Sequence, residues 1–159
     1  MIKVGDAIPH AKLNAATSDG PKEVTTEAVF RGKRVVMFAV PGAFTPTCSA
    51  KHLPGYLQNI EAFKDKGVDT VACLAVNDPF VLAAWAKDQD VGDRVMMLAD
   101  GSASFTKTLG LELDLSARGL GIRSQRYAMV VDDGKVTSLS VEPPGGFEVS
   151  KAESVLSQL

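Results

Sequence analysis

Cys48 closes the stretch Val40-Pro41-Gly42-Ala43-Phe44-Thr45-Pro46-Thr47-Cys48, which is dense in rigid residues. A cysteine thiolate is a strong nucleophile once it is reachable and aimed. Thr45 can cap a helix with its side-chain oxygen, and Pro46 suits the first helical position, where no N–H is needed. Cys48 then falls at the third position, where unpaired amides and the positive end of the helix dipole favour an anion. A thiol placed there should ionise more readily than a free cysteine. Thr45 is one turn before Cys48, so its hydroxyl and the sulfur can point at the same spot; on spacing alone it is equally a plain cap. A buried core cysteine is the bland alternative for Cys48, and the Pro-Gly-x-x-Thr-Pro-x-Cys context argues against it.

Two histidines and one further cysteine complete the reactive set. His52 lies four residues past Cys48, on the same helical face. It serves either as a base in a Cys–His pair or as a packing residue beside the pocket. His10 sits in a loop. Cys73 follows Cys48 by 25 positions, among Val71, Ala72, Leu74 and Ala75, which read as buried core. Two histidines and two cysteines so widely spread do not form a metal site. The absence of Cys-x-x-Cys argues against a dithiol reductase.

The elements that must position Cys48 follow from hydrophobic periodicity. Arg34 to Val40 is apolar at nearly every position, as in a strand covered on both faces. After Cys48, Leu53, Tyr56, Leu57, Ile60 and Phe63 form a helical stripe, kinked by Pro54 and ended at Gly67. Val68 to Val76 reads as a second buried strand, so the unit is strand–helix–strand and parallel. Asn77-Asp78-Pro79 opens a helix carrying Phe80, Val81, Ala84 and Trp85. Val95 to Ala99 is a third strand, and Asp100-Gly101 leads into a short helix closed by Gly110. Leu111 to Ile122 lacks a clean period and reads as a long loop. Arg126 to Val131 and Val136 to Val141, joined by Asp132-Asp133-Gly134-Lys135, make a hairpin. Ser150-Lys151-Ala152-Glu153 matches a capping box for a last helix. Upstream, Leu13 to Ala16 reads as a short strand, Ser18 to Pro21 as a turn, and Thr25 to Phe30 as a short helix. The expectation is a single α/β domain over residues 1–159, with a central mixed sheet, parallel units, a C-terminal antiparallel hairpin and helices on both faces.

Composition sets the bounds. The chain has 159 residues, 45% of them hydrophobic, enough to bury a real core. Net charge is −2 with scattered basic residues, which speaks against a nucleic-acid surface. The longest uncharged run, between Arg34 and Lys51, is too short and too broken by prolines to span a membrane. Two cysteines do not make a disulfide scaffold and suit a reducing compartment. The N-terminal residues lack a secretory apolar core, so a cytoplasmic location is expected, a trimmed organellar form being the alternative.

The run from Val40 to Cys48 resembles the active-site signature of the peroxiredoxins. Its continuation to His52-Leu53-Pro54-Gly55-Tyr56 resembles their type II, or peroxiredoxin-5-like, branch. The resemblance covers nearly the whole chain, through Val4-Gly5-Asp6, Val76 to Phe80, Leu98 to Gly101 and Arg126 to Gly134. It implies a thioredoxin-like fold, usually dimeric, that reduces hydrogen peroxide and alkyl hydroperoxides without metal or bound cofactor. By the same resemblance Cys48 is the peroxidatic cysteine, Thr45 binds the peroxide, and Pro41 shields the sulfur. The backbone N–H groups of Thr47 and Cys48 complete the donor set. The family arginine matches Arg126, with Arg123 as competitor; the pattern Arg-Tyr-Ala-Met-Val-Val favours Arg126. A solvated surface charge is the plain alternative for either.

Cys73 is the possible resolving thiol; the alternative is a structural Cys73, with an external thiol from glutathione, glutaredoxin or thioredoxin recycling Cys48. The late C-terminal cysteine of animal-like relatives is missing. Phe44, Phe80, Trp85 and the Leu111 to Ile122 segment are candidates for a homodimer surface by resemblance, or else ordinary core. Two rivals to peroxidase chemistry stand beside it: a Cys48–His52 hydrolase or acyl transferase, and a non-catalytic thioredoxin-fold binding module.

Overall fold

The apolar run after Arg34 becomes β3 (Arg34–Val40), the middle of the molecule. The computed structural model describes all residues, 1–159. Before β3 come β1 (Lys12–Thr17), β2 (Gly20–Thr25) and α1 (Thr26–Phe30). After it come α2 (Leu53–Gln58), α3 (Ile60–Asp65), β4 (Thr70–Ala75), α4 (Pro79–Asp88), β5 (Met96–Ala99) and α5 (Ser104–Leu109). β6 (Glu112–Leu115), β7 (Gly121–Ser124), β8 (Tyr127–Asp132), β9 (Lys135–Val141) and α6 (Ala152–Leu156) complete the chain. Seven strands form one mixed sheet in the order β2-β1-β5-β4-β3-β8-β9. β3 runs parallel to β4, with Phe38 opposite Cys73, and antiparallel to β8.

Strand alternation separates two cores, because successive side chains leave opposite faces. Val36, Phe38, Val40, Val71, Cys73 and Ala75 join one apolar cluster, with Cys48, Leu53, Tyr56, Phe63, Leu82, Trp85 and Val155. Val35, Met37, Ala39, Ala72 and Leu74 join the other, with Phe30, Phe105 and Leu109. Helices therefore cover both faces, and the sheet interior is apolar on each side, as the unbroken runs of β3 and β4 required.

Several local expectations hold. Asp78 caps α4 by accepting from the Val81 amide at 2.9 Å, with Pro79 at the first position. Asp133 and Gly134 turn the β8–β9 hairpin with φ of 47° and 79°, the left-handed pair that a tight hairpin demands.

Others are corrected. The single helix expected from Leu53 to Phe63 is broken at Asn59. Its start is a π-helical turn over Cys48–His52, in which the Leu53 amide bonds the Cys48 carbonyl five residues back. Pro54 has no amide to offer Ala50, and the widened turn accommodates the missing bond. Leu111 to Ile122 is not a plain loop: Glu112–Leu115 pairs with Gly121–Ser124 as a separate two-stranded sheet. The strand Gly20–Thr25 was not expected, and it pairs along β1 over its full length. The predicted capping box at Ser150 does not form; Lys151 holds the cap position without a side-chain bond, and the Ser150 hydroxyl donates to Glu142 instead. Trp85 is core, fully buried, whereas Phe44 and Phe80 are exposed at 53% and 71%.

Candidate active site

β3 ends at Val40, and the chain turns through Pro41–Thr45 into the helix that carries Cys48. The loop is tied down from both sides. The Ala43 amide donates to Asn77 Oδ1 at 2.9 Å, fastening it to the start of α4. Arg123 donates to the Pro41 carbonyl at 3.3 Å. Phe44 takes a left-handed φ of 62°, uncommon for an aromatic residue, so the turn is held against its preference. Thr45 does not cap the helix: its hydroxyl donates back to the Gly42 carbonyl at 2.6 Å. With its proton committed, the oxygen is left as an acceptor. The amides of Thr47 and Cys48 donate to no other protein group, as expected for the first turn of a helix.

Cys48 is fully buried. Arg126 Nη2 donates to its sulfur at 3.3 Å, from the residue just before β8. Nη1 of the same guanidinium lies 2.8 Å from His52 Nδ1. An arginine only donates, so Nδ1 must accept, and the His52 proton sits on Nε2. That nitrogen reaches the Ser150 carbonyl at 3.1 Å, which also accepts from the Tyr56 hydroxyl at 2.7 Å. No carboxylate forms an ion pair with Arg126. Its guanidinium is therefore directed at the sulfur and at His52 alone among these groups, as a charge-assisted donor.

Aromatic rings wall this group. Phe38 stacks on Tyr56 at 3.9 Å between centroids, and Phe147 meets His52 edge-on at 5.2 Å. Arg126 Cζ lies 5.8 Å from the centre of the Phe147 ring. Burial, with the Arg126 charge second, lowers the His52 pKa to about 3. His52 is thus neutral, already engaged at both nitrogens, and not bonded to Cys48. That arrangement removes the base that a Cys–His hydrolase would need.

A family model described as Redoxin matches residues 3–156. The chain is 46% identical over 159 residues to Peroxiredoxin-2B of Arabidopsis thaliana, covering 99% of this chain and 98% of that protein. It belongs to the peroxiredoxins. Reduced Prx3 of Vibrio vulnificus in complex with hydrogen peroxide is a similar structure, with a TM-score of 0.95 and 52% identity over 99% of each chain. Peroxiredoxin 5 of Alvinella pompejana gives 0.87 and 42%, over 99% of this chain and 97% of that one. This peroxiredoxin is of the type II, peroxiredoxin-5-like branch, has the thioredoxin-type fold and is a thiol peroxidase.

The fold brings Cys48, Thr45, Pro41 and Arg126 to one end of β3, whereas Arg123 binds the loop backbone rather than the sulfur. Cys73 stays on the central strand β4, fully buried, with burial and then the charge at Cys48 pushing its thiol up. His10 is exposed and pairs with Glu27 at 2.7 Å. No helix is long and apolar enough to cross a membrane, and no cluster of His, Cys, Asp and Glu is placed to hold a metal ion. Asn77 and Ser150 stand out in the sequence only as helix-start residues, and Glu142 not at all; none of them signals a part in the site.

Acid should destabilise the peroxiredoxin through His52. Its pKa is near 6.5 when unfolded and about 3 when folded. Below pH 6.5 the unfolded chain therefore binds a proton that the folded chain refuses, so stability falls as pH drops toward 3. At pH 4 this one group costs roughly 3 kcal/mol. Glu142 acts in the same direction. Burial alone would raise its carboxyl, but bonds from the Ser150 hydroxyl and amide and the Glu148 amide hold it below the usual range. Denaturant midpoints at pH 7 and pH 4 check this. The His52→Asn variant should lose much of the difference, and an unchanged pH dependence would refute the role of His52.

Proposed function

We propose that Cys48 attacks hydrogen peroxide and alkyl hydroperoxides, with Thr45 and Arg126 in the reacting shell and an external thiol as reductant. The observation that carries this reading is the Arg126 fork, bonded at once to the sulfur and to His52. The thiolate attacks one peroxide oxygen: an S–O bond forms, the O–O bond breaks, sulfur is oxidised to sulfenic acid and the peroxide is reduced. The leaving oxygen departs with the electron pair and takes up a proton to become water or an alcohol. Thr45 Oγ1, its proton held by Gly42, accepts from the peroxide O–H and orients it. The Arg126 guanidinium and the free amides of Thr47 and Cys48 bind the negative charge that develops on oxygen. Pro41 stands over the approach and limits further oxidation. The sulfur has no exposed surface, so a peroxide reaches it only when the structure around it opens.

A thiol from outside then attacks the sulfenic acid, releasing water and leaving a mixed disulfide that a second thiol reduces. Cys73 is a poor candidate for the first of these. It lies on a strand paired on both sides, and its burial disfavours the thiolate. Glutathione with glutaredoxin is the donor this favours over thioredoxin, since it needs no second cysteine of the chain. Steady-state peroxide consumption tests the point. Cys73→Ala should turn over with glutathione and glutaredoxin at a rate close to wild type; loss of turnover with retained oxidation of Cys48 would make Cys73 the resolving thiol.

The protein acts as a homodimer in this reading, in the cytoplasm, where both thiols stay free. Phe44 and Phe80 are exposed aromatic residues on segments that the Ala43–Asn77 bond holds side by side. Sedimentation should give a dimer that Phe80→Asp weakens; a strict monomer at working concentration rejects it.

A further inference from the structure

We propose that Glu142 is a positioning residue of the peroxidase site: its carboxylate locks the Pro143–Ser150 segment so that the Ser150 carbonyl fixes His52, and His52 aims Arg126 at the Cys48 sulfur. The inference rests on the roles of Cys48 and Arg126 given above. Glu142 follows β9 and is only 6% exposed. No basic side chain pairs with it. One oxygen, Oε2, accepts from the Glu148 amide at 2.8 Å, the Ser150 amide at 2.9 Å and the Ser150 hydroxyl at 2.7 Å. The other, Oε1, is buried without a partner. A buried, half-satisfied carboxylate is costly, and an apolar residue would fill the space more cheaply. What the carboxylate adds is a fixed end for the segment.

That segment touches the site at two points. Ser150 offers its carbonyl to His52 Nε2 and Tyr56, and Phe147 covers both His52 and Arg126. The turn closes tightly over the carboxylate at Gly146: a Cβ there would lie 3.1 Å from Oε1 and 3.0 Å from the Pro143 carbonyl. Glu142 also holds Arg126 from behind, since its amide donates to the Arg126 carbonyl at 2.9 Å. The same residue thus anchors the arginine backbone directly and its guanidinium through Ser150 and His52. A misplacement of about 1 Å at a reacting group can slow chemistry a hundredfold, so this relay is long enough to matter.

The test measures two things in reduced protein: the rate constant with hydrogen peroxide, and the nitrogen-15 signals of His52. In wild type the His52 signals should be those of a neutral ring protonated at Nε2. Glu142→Ala should react about tenfold slower or worse, with the His52 signals shifted or broadened. Glu142→Gln keeps one acceptor oxygen and should recover most of both. A folded Glu142→Ala with the wild-type rate overturns the proposal, and so does a slowed variant whose His52 signals have not moved. If Glu142→Ala does not fold, Glu142→Gln is judged by the same two criteria, with a smaller loss of a few-fold. Wild type reacting no faster than free cysteine would sink the peroxidase roles instead, while the His52 signals would still report on the relay.

Discussion

Cys48→Ser is expected to abolish peroxide consumption and leave the fold in place. Serine is close to cysteine in size, and its hydroxyl can still accept from Arg126, so the burial of the position is kept. Its oxygen, however, is far too basic to ionise beside a single guanidinium, and an alcohol does not attack a peroxide bond. Stability should change by about 1 kcal/mol, the ordinary scale for a single buried change. The remaining thiol, Cys73, cannot substitute, because it lies within β4, paired on both sides, where burial pushes its thiol up and Arg126 makes no bond to it. Peroxide consumption assayed with glutathione and glutaredoxin checks the outcome; residual turnover above a few per cent would move the reactive sulfur away from Cys48.

Arg126→Met is expected to slow the reaction of Cys48 with hydrogen peroxide by about 10²–10³-fold, the usual cost of losing one charge-stabilising donor. Methionine roughly keeps the length and the packing against Phe147, so the loss isolates the charge and the fork. Two effects combine. The sulfur loses the donor that bonds it at 3.3 Å, and the leaving oxygen loses its donor. His52 Nδ1 is left a buried acceptor without a partner, which costs about 1–3 kcal/mol of stability. Arg126→Lys should fall between the two, because a lysine keeps the charge but cannot bond the sulfur and His52 at once. Single-turnover kinetics check the series; a methionine variant as fast as wild type would remove Arg126 from the mechanism.

The parts of the fold that sequence made legible are those whose burial is one-sided or total. β3, β4 and β8 are buried at almost every position and read as apolar runs. β2 was invisible because it is an edge strand, mostly exposed, with Pro21 and Lys22 where alternation should be. β6 and β7 are four residues each, with Gly119 between them and Gly121 opening β7, too short for a period to show. Two expected caps do not form: the Thr45 and Ser150 hydroxyls are turned toward the Gly42 carbonyl and the Glu142 carboxylate, to which they donate, and these are partners that only the fold brings near. Trp85, a dimer-surface candidate by resemblance with ordinary core as the alternative, is core, and its indole donates to Ser49 at 3.0 Å. At the site, Cys48 and its loop were legible from rigid residues alone. The arginine was legible only through the family pattern Arg-Tyr-Ala-Met-Val-Val, which points to Arg126 rather than Arg123; residue spacing alone cannot separate them, and the β3–β8 pairing puts Arg126 3.3 Å from the sulfur.

Trp85 is the sole tryptophan and sits one hydrogen bond from the residue after Cys48, so its fluorescence should report oxidation of the sulfur. The most direct measurement is rapid mixing of reduced wild-type protein with hydrogen peroxide, followed by that fluorescence and by intact mass. A thiolate held against Arg126 predicts one oxygen atom added at Cys48, in a phase orders of magnitude faster than free cysteine reacts at the same pH. A rate equal to that of free cysteine, or oxygen found on Cys73 first, would contradict the account.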